Sequence, residues 1–296
     1  MPSKPPFAAP AKHGAVLTPP KHALEQSAIA MDAWQRGAAP NQGFYIPYRY
    51  AQACRPRAAP PWLIKALHEA HPCMQRTLDG ARRFTPRLRD FATGSHPGTP
   101  RFDQDWFTGL DAALAYALIR MRLPTRVVEI GSGHSTRFIA QAMADSAASG
   151  HLTSIDPEPR KAIDALCDLV VRDTLGNADL ACIEALQAGD VLFVDGSHIA
   201  MPGSDVEQLC VEIIPRLPAG VLLHIHDLLL PDPYPDVWQW RGYNEQAMIA
   251  ALIGTGRLQI ECASAYVSRY HPDWLVDVFC PAPENAHVSS MWFSLA

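Results

Sequence analysis

The sequence predicts an α/β fold of the doubly wound kind, on three observations. After residue 100, apolar runs of four to six residues alternate with stretches of helical period. Runs without polar alternation are strands buried on both faces, as in a largely parallel sheet. One run closes on a glycine-containing turn that opens a helix, Glu129-Ile130-Gly131-Ser132-Gly133-His134-Ser135. Other runs end in acidic or histidine residues, and in such sheets ligands bind at the carboxyl ends of the strands.

The elements follow in order. Leu110, Leu114, Leu118 and Met121 form one helical stripe that stops before Pro124. The run from Arg126 to Gly131 is the first strand, and a helix from Ser135 to about Ala148 ends before Gly150. The second to fourth strands are Leu152 to Asp156, Asp168 to Asp173 and Asp190 to Asp195. Ser204 with Glu207 makes a capping box ahead of the amphipathic helix of Val206, Leu209, Cys210, Ile213, Ile214 and Leu217. A fifth strand runs from Gly220 to His226 and a helix from Asn244 to Ile253. Leu258 to Ala265 and Val288 to Leu295 supply the last two strands.

The front end is different. Eleven of the 27 prolines fall in the first 61 residues, which excludes continuous helix or central sheet there. Residues 1–40 read as a Pro-rich flexible tail, with a short helix around Leu24 to Trp34. Residues 41–100 read as a cap over the acceptor side of the sheet, built from the aromatics of Phe44 to Tyr50 and a helical stretch from 61 to 92. A Gly/Pro-rich boundary at 92–100 then leads into the main domain, 101–296.

Composition excludes several classes. A net charge of -5 argues against a nucleic-acid partner, and the run Arg82 to Arg89 is a solvated face. The seven cysteines never form a CxxC pair, which suits a reducing compartment. No stretch is as long as a membrane span, and the start has no apolar signal run. A soluble, cytoplasmic protein is expected, without a membrane partner. Whether it forms a homo-oligomer is left open.

The glycine loop carries the chemistry. Two glycines allow a tight turn and a close approach to a ligand. Position 136, where a dinucleotide loop has its third glycine, is threonine, and the Lys-Ser/Thr ending of a phosphate-binding loop is missing. The loop therefore suits a nucleoside ligand without a pyrophosphate. Asp156, 23 positions beyond Gly133, ends the next strand where a carboxylate binds ribose hydroxyls. Glu129 beside the loop suits a positively charged ligand. S-adenosylmethionine has this character, with a sulfonium, an ammonium, a ribose and no phosphate.

Four segments together, Glu129 to Ser135, Ser154-Ile-Asp-Pro157, Asp190 to His198 and Leu223-His-Ile-His-Asp227, resemble the successive strand-end motifs of class I S-adenosylmethionine-dependent methyltransferases. The match is nearest to the small bacterial subgroup with D-G-S-H and H-x-H-D motifs. It spans roughly residues 105–296. The resemblance implies a Rossmann-like sheet of seven mostly parallel strands with an antiparallel final hairpin. It also implies that Glu129, Gly131 and Gly133, with the loop residues Ser132, His134 and Ser135, hold the methionine part of the cofactor. Asp156 would take the ribose and Asp173 the adenine side.

Methyl transfer to a hydroxyl requires alignment of the nucleophile and an acceptor for its proton, either a base or a metal that lowers its pKa. Asp195 and His198 follow the fourth strand, and His226 and Asp227 end the fifth, so these four are the catalytic candidates. Asp195 and Asp227 are similar in position to residues that help hold magnesium in metal-dependent catechol-type enzymes. The usual Asp-Asn pair is here Asp227-Leu228, so a His base, His226 or His198, stands beside magnesium. His224 reads as a packing residue. Trp238, Trp240 and Tyr243, like Trp106 and Phe107, either line an acceptor pocket or plug an irregular loop.

The expected activity is methyl transfer to a small-molecule acceptor, most simply at oxygen. The rivals are a non-catalytic cofactor-binding or assembly module on the same fold and an NAD(P)-dependent oxidoreductase, against which Thr136 speaks.

Overall fold

Strand formation follows the β-branched and apolar runs: β1 (Arg126–Ile130), β2 (His151–Ile155), β3 (Leu169–Val171), β4 (Val191–Val194), β5 (Leu222–Ile225), β6 (Leu258–Ala263) and β7 (Met291–Leu295). They form one sheet in the order β3-β2-β1-β4-β5-β7-β6. The first five are parallel, and β7 runs antiparallel to both β5 and β6. The seven-stranded, mostly parallel sheet is the one expected. β4 and β5 are buried along their whole length, as strands covered by helices on both faces must be. The structure, a computed structural model, describes residues 57–93, 98–146, 150–159, 162–284 and 286–296, with the side chains of 93, 239 and 240 left aside. The expected tail, the helix around Leu24 to Trp34, the aromatics Phe44 to Tyr50 and the Trp240 side chain lie outside the described residues.

The helices are α1 (Pro61–Glu69), α2 (His71–Arg82), α3 (Thr85–Asp90), α4 (Gly109–Arg122), α5 (His134–Ala144), α6 (Ala181–Glu184), α7 (205–216), α8 (Gln246–Gly254) and α9 (Ser264–Tyr270). α4 departs from its expected single stripe. Every residue from Gly109 to Ile119 is buried, because alanines fill the faces between the leucines and α2, α5 and α9 pack around it. Asp111 is the one charged side chain in that buried stretch.

α7 widens into a π turn over Leu209–Ile213. Pro215 lies just beyond and has no N–H for the regular ladder. Its cap is half of the expected box. Ser204 Oγ accepts from Glu207 N–H, whereas the Glu207 carboxylate accepts from Gly203 N–H instead of Ser204.

Residues Ala58–Ala296 form one compact unit. α1 packs on α8, and α2 on β6 and α4, burying Leu63, Leu67, Met74 and Leu78. These helices therefore cover the β6 edge of the sheet, and none of the described residues 58–93 lines the cleft at the strand ends. The described part of the expected cap thus packs at this edge. Its apolar face found a partner in the exposed edge strand.

At the centre of the sheet, Gly131 (φ +75°) has Asp195 alongside. A Cβ on Gly131 would lie 1.9 Å from the Asp195 carbonyl oxygen. Gly131→Ala combines that clash with a left-handed backbone and should cost about 2–4 kcal/mol. The check is the urea midpoint at unchanged slope, and an unchanged midpoint would contradict the close approach.

Candidate active site

The loop after β1 is organised from below by Glu129. Its carboxylate is fully buried and accepts from Ser135 Oγ and Thr136 Oγ1, each at 2.6 Å. Burial pushes its pKa up to about 8, against the pull of these two hydroxyls, and the nearby Asp195 and Asp156 add to the rise. Thr136 Oγ1 also accepts from Gly133 N–H at 2.9 Å. The threonine that replaces a third glycine therefore ties the loop to its carboxylate, a role that position spacing alone did not reveal. Asp156 Oδ2 accepts from Ser132 N–H at 2.7 Å and Ser132 Oγ at 2.8 Å, while Oδ1 accepts from Glu158 N–H at 2.8 Å.

The other group is centred on Asp195. One of its oxygens, Oδ1, is 3.3 Å from His198 Nε2 and 3.4 Å from His226 Nδ1. Behind His198, Nδ1 meets Glu245 Oε1 at 2.5 Å. Behind His226, Nε2 meets Asp111 Oδ2 at 3.3 Å. Asp227 flanks both rings, at 3.5 Å from His226 Nδ1 and 3.6 Å from His198 Nε2, and accepts from Ser289 Oγ at 2.9 Å. Arg241 lies 3.6 Å from Asp227 and over the Trp238 ring.

His198 and Asp227 are both in the left-handed backbone region (φ +61° and +53°). L-residues adopt it at a cost that concentrates at functional sites.

These contacts set the protonation. Burial disfavours a charged His198, yet Asp195 and Glu245 outweigh it and push the pKa up to about 10. Burial also opposes charge on His226, but Asp195, Asp227 and Asp111 hold its pKa well above the ordinary value. In return, and against burial, the two imidazoles keep Asp195 well below the usual carboxylate range. His224, fully buried and stacked on Phe193 at 3.6 Å, is kept neutral chiefly by burial and packs as expected.

Both groups face one cleft of about 1160 Å³ at the carboxyl ends of the strands. Gly131, Ser132, Gly133, His134, Ser135 and Asp156 line one half, and Asp195, His198, His226 and Asp227 the other. Glu129 lies beneath the lining. Asp173 is not among the lining residues; half-buried, it accepts from Thr174 N–H and Asn177 Nδ2, while its neighbours Thr174, Leu175 and Gly176 line the cleft.

Trp106, Phe107, Trp238 and Tyr243 also line the cleft, and Trp238 and Phe107 are buried as well. Lining and plugging are here one role.

Among the described residues, no group of three or more His, Cys, Asp or Glu is arranged to hold a metal ion. Oδ1 of Asp195 and both oxygens of Asp227 face the imidazoles. The described residues therefore offer magnesium no complete donor set.

Sequence reading missed Asp111 and Glu245. The available signals were a lone acid within the apolar stretch Gly109–Ile119 and an acid directly before α8.

Residues 128–228 match the family described as Methyltransferase domain. Fold, cleft and this match together define the class: the chain carries a methyltransferase domain and is an enzyme of that kind. Among solved structures it is similar to an O-methyltransferase from Bacillus cereus in complex with SAH, at 13% identity over 75% of this chain and 91% of that one (TM-score 0.42). It is also similar to the SAH-bound methyltransferase of Podospora anserina, at 15% identity over 96% and 100% (TM-score 0.39). A branched-chain polyamine synthase from Thermus thermophilus matches at 15% identity over 72% and 63% (TM-score 0.39). Likenesses this shallow carry no weight for the chemistry. No curated protein matches the chain in sequence. No helix among the described residues is long and apolar enough to cross a membrane.

The His198–Glu245 contact makes stability depend on pH with a definite sign. The folded pKa, about 10, exceeds the unfolded value of about 6.5. This contribution is fully present below about pH 6.5 and is lost as pH rises through about 10. Between about pH 7 and 10 the melting temperature should fall more steeply in the wild type than in Glu245→Gln. Parallel curves would remove Glu245 as the source.

Proposed function

We propose that this enzyme transfers the methyl group of S-adenosylmethionine to a hydroxyl of a small-molecule acceptor. The observation that carries the reading is the single cleft in which the glycine loop and Asp156 face the Asp195 cluster. The residues fit the cofactor. Gly131 leaves no room for a side chain, Asp156 ends β2 at the distance from the loop that suits a ribose, and the nearby carboxylates suit a cation. A volume of about 1160 Å³ exceeds the ordinary range for one drug-sized ligand, about 300–1,000 Å³, and so favours a cofactor together with a small acceptor.

When bound, the cofactor supplies a methyl group on a positively charged sulfur. Ser132, Gly133, His134 and Ser135 would hold its amino-acid end above Glu129, and Asp156 would accept from the ribose hydroxyls. Thr174 to Gly176, beside Asp173, border the adenine end. Asp195 exposes 32% of its side chain, against 4% for His198 and 6% for His226, so it is the member of the cluster that an acceptor meets. It would accept a hydrogen bond from the acceptor hydroxyl and so orient that oxygen toward the methyl group the cofactor supplies. Asp195, held ionised by the two imidazoles, would orient that hydroxyl rather than keep its proton, which would pass to solvent at the exposed side of the carboxylate, while the bound cofactor would supply the methyl group and keep the electron pair of the broken bond on its sulfur. His198, His226 and Asp227 hold Asp195 in place.

Isothermal titration should give micromolar-range binding of S-adenosylmethionine and S-adenosylhomocysteine. No heat at millimolar ligand would end the proposal. Asp156→Ala removes a charge-assisted contact of about 1.5–3 kcal/mol, so affinity should fall about 10- to 100-fold. Unchanged affinity would take Asp156 out of the site. Binding without S-adenosylhomocysteine release across a panel of hydroxylated small molecules would favour the non-catalytic module.

A further inference from the structure

Each imidazole beside Asp195 is backed by a buried carboxylate that no strand-end motif contains. Asp111 lies on α4 and Glu245 just before α8, and both are essentially without exposure. Asp111 is held from three sides. Its oxygens accept from Ser289 N–H at 2.8 Å, Ser290 N–H at 2.9 Å and Ser264 Oγ. It is thereby fixed to the segments that precede β7 and open α9. Glu245 belongs to a brace on the 198–200 loop, in which Asn244 N–H donates to the His198 carbonyl at 3.1 Å and Asn244 Oδ1 accepts from Ala200 N–H at 2.6 Å.

The decisive point is what faces the ring nitrogens. His226 Nε2 faces Asp111, and Nδ1 faces Asp195 and Asp227. His198 Nδ1 faces Glu245, and Nε2 faces Asp195 and Asp227. An ionised carboxylate only accepts, and a neutral imidazole has a single N–H. A neutral ring in either place would set a nitrogen lone pair against a carboxylate oxygen. The remaining neighbours do not change this. Ser289 Oγ lies 3.5 Å from His226 Nε2, Phe107 and the neutral His224 pack beside that ring, Tyr243 packs beside His198, and Arg241 lies against Asp227.

We infer that Asp111 and Glu245 are positioning residues, each fixing one imidazole with both nitrogens as donors, so that His226 and His198 together hold one oxygen of Asp195 and direct that carboxylate to the acceptor. The two histidines are then not bases. The role of the aimed carboxylate rests on the methyl-transfer reading, whereas the clamp itself does not.

The test is a ring-nitrogen NMR spectrum of the full chain labelled with 15N-histidine, without cofactor or acceptor, at about pH 8, where an ordinary histidine is neutral. His226→Gln and His198→Gln spectra assign the signals. In the wild type both rings should show two protonated nitrogens. Asp111→Asn should convert His226 alone to the neutral form, Glu245→Gln should convert His198 alone, and Asp111→Glu should retain the charged ring. Neutral rings in the wild type, or substitutions that move neither ring or both alike, would overturn the inference. If Asp111→Asn fails to fold by circular dichroism, Glu245→Gln decides the matter at the other ring. Since no cofactor is present, failure here is separate from failure of the calorimetric titration.

Discussion

The ends of β1 and β4 lie so close that the Asp195 carbonyl occupies the place of a side chain on Gly131. Asp195 N–H donates to the Ile130 carbonyl, and Gly131 N–H to that of Ile155, so β4, β1 and β2 finish in register. From that junction the glycine loop turns one way and the Asp195 side chain the other. The distance between the two halves of the cleft is therefore set by backbone hydrogen bonds, which are stiffer than any pair of side chains. The same crowding explains why the loop begins with glycine, since the backbone must come within van der Waals distance of its neighbour.

On that frame the protein places charge where water is excluded. Glu129, Asp111, Glu245, His198 and His226 are all buried, and isolated charges there would be strongly unfavourable. Each is compensated differently. Glu129 receives two hydroxyls, and burial shifts it toward the neutral acid. Asp111 receives two backbone N–H groups, a serine hydroxyl and an imidazole. The histidines receive carboxylates at both nitrogens. The resulting cluster alternates in sign and leaves Asp195 as its partly exposed member. Such a network is unforgiving, because deleting one member leaves its partner buried and unpaired.

The helical front end contributes differently from the strand-end motifs. α1 and α2 bury leucines and Met74 against β6, α4 and α8, shielding an edge that would otherwise expose unpaired strand. This leaves the cleft to be closed by the loop after β5, where Arg241 lies over Trp238 and Tyr243. The aromatics there are both structural filler and cleft wall.

The sequence by itself determined the sheet. The seven runs are where expected, because a strand buried on both faces needs an unbroken apolar run, and that pattern is local. It also located the glycine loop, Asp156 and the two strand-end pairs, since each follows its strand within a few residues. It did not reveal Asp111 or Glu245. Asp111 meets His226 across 115 positions and Glu245 meets His198 across 47, and no local period records such a pairing. Nor did it tell that Thr136, at the position of a third glycine, would donate to Glu129 and accept from Gly133 N–H. Tertiary structure decided those points, because a buried ion pair is defined by which helices the sheet brings together, whereas a strand is defined by its own side chains.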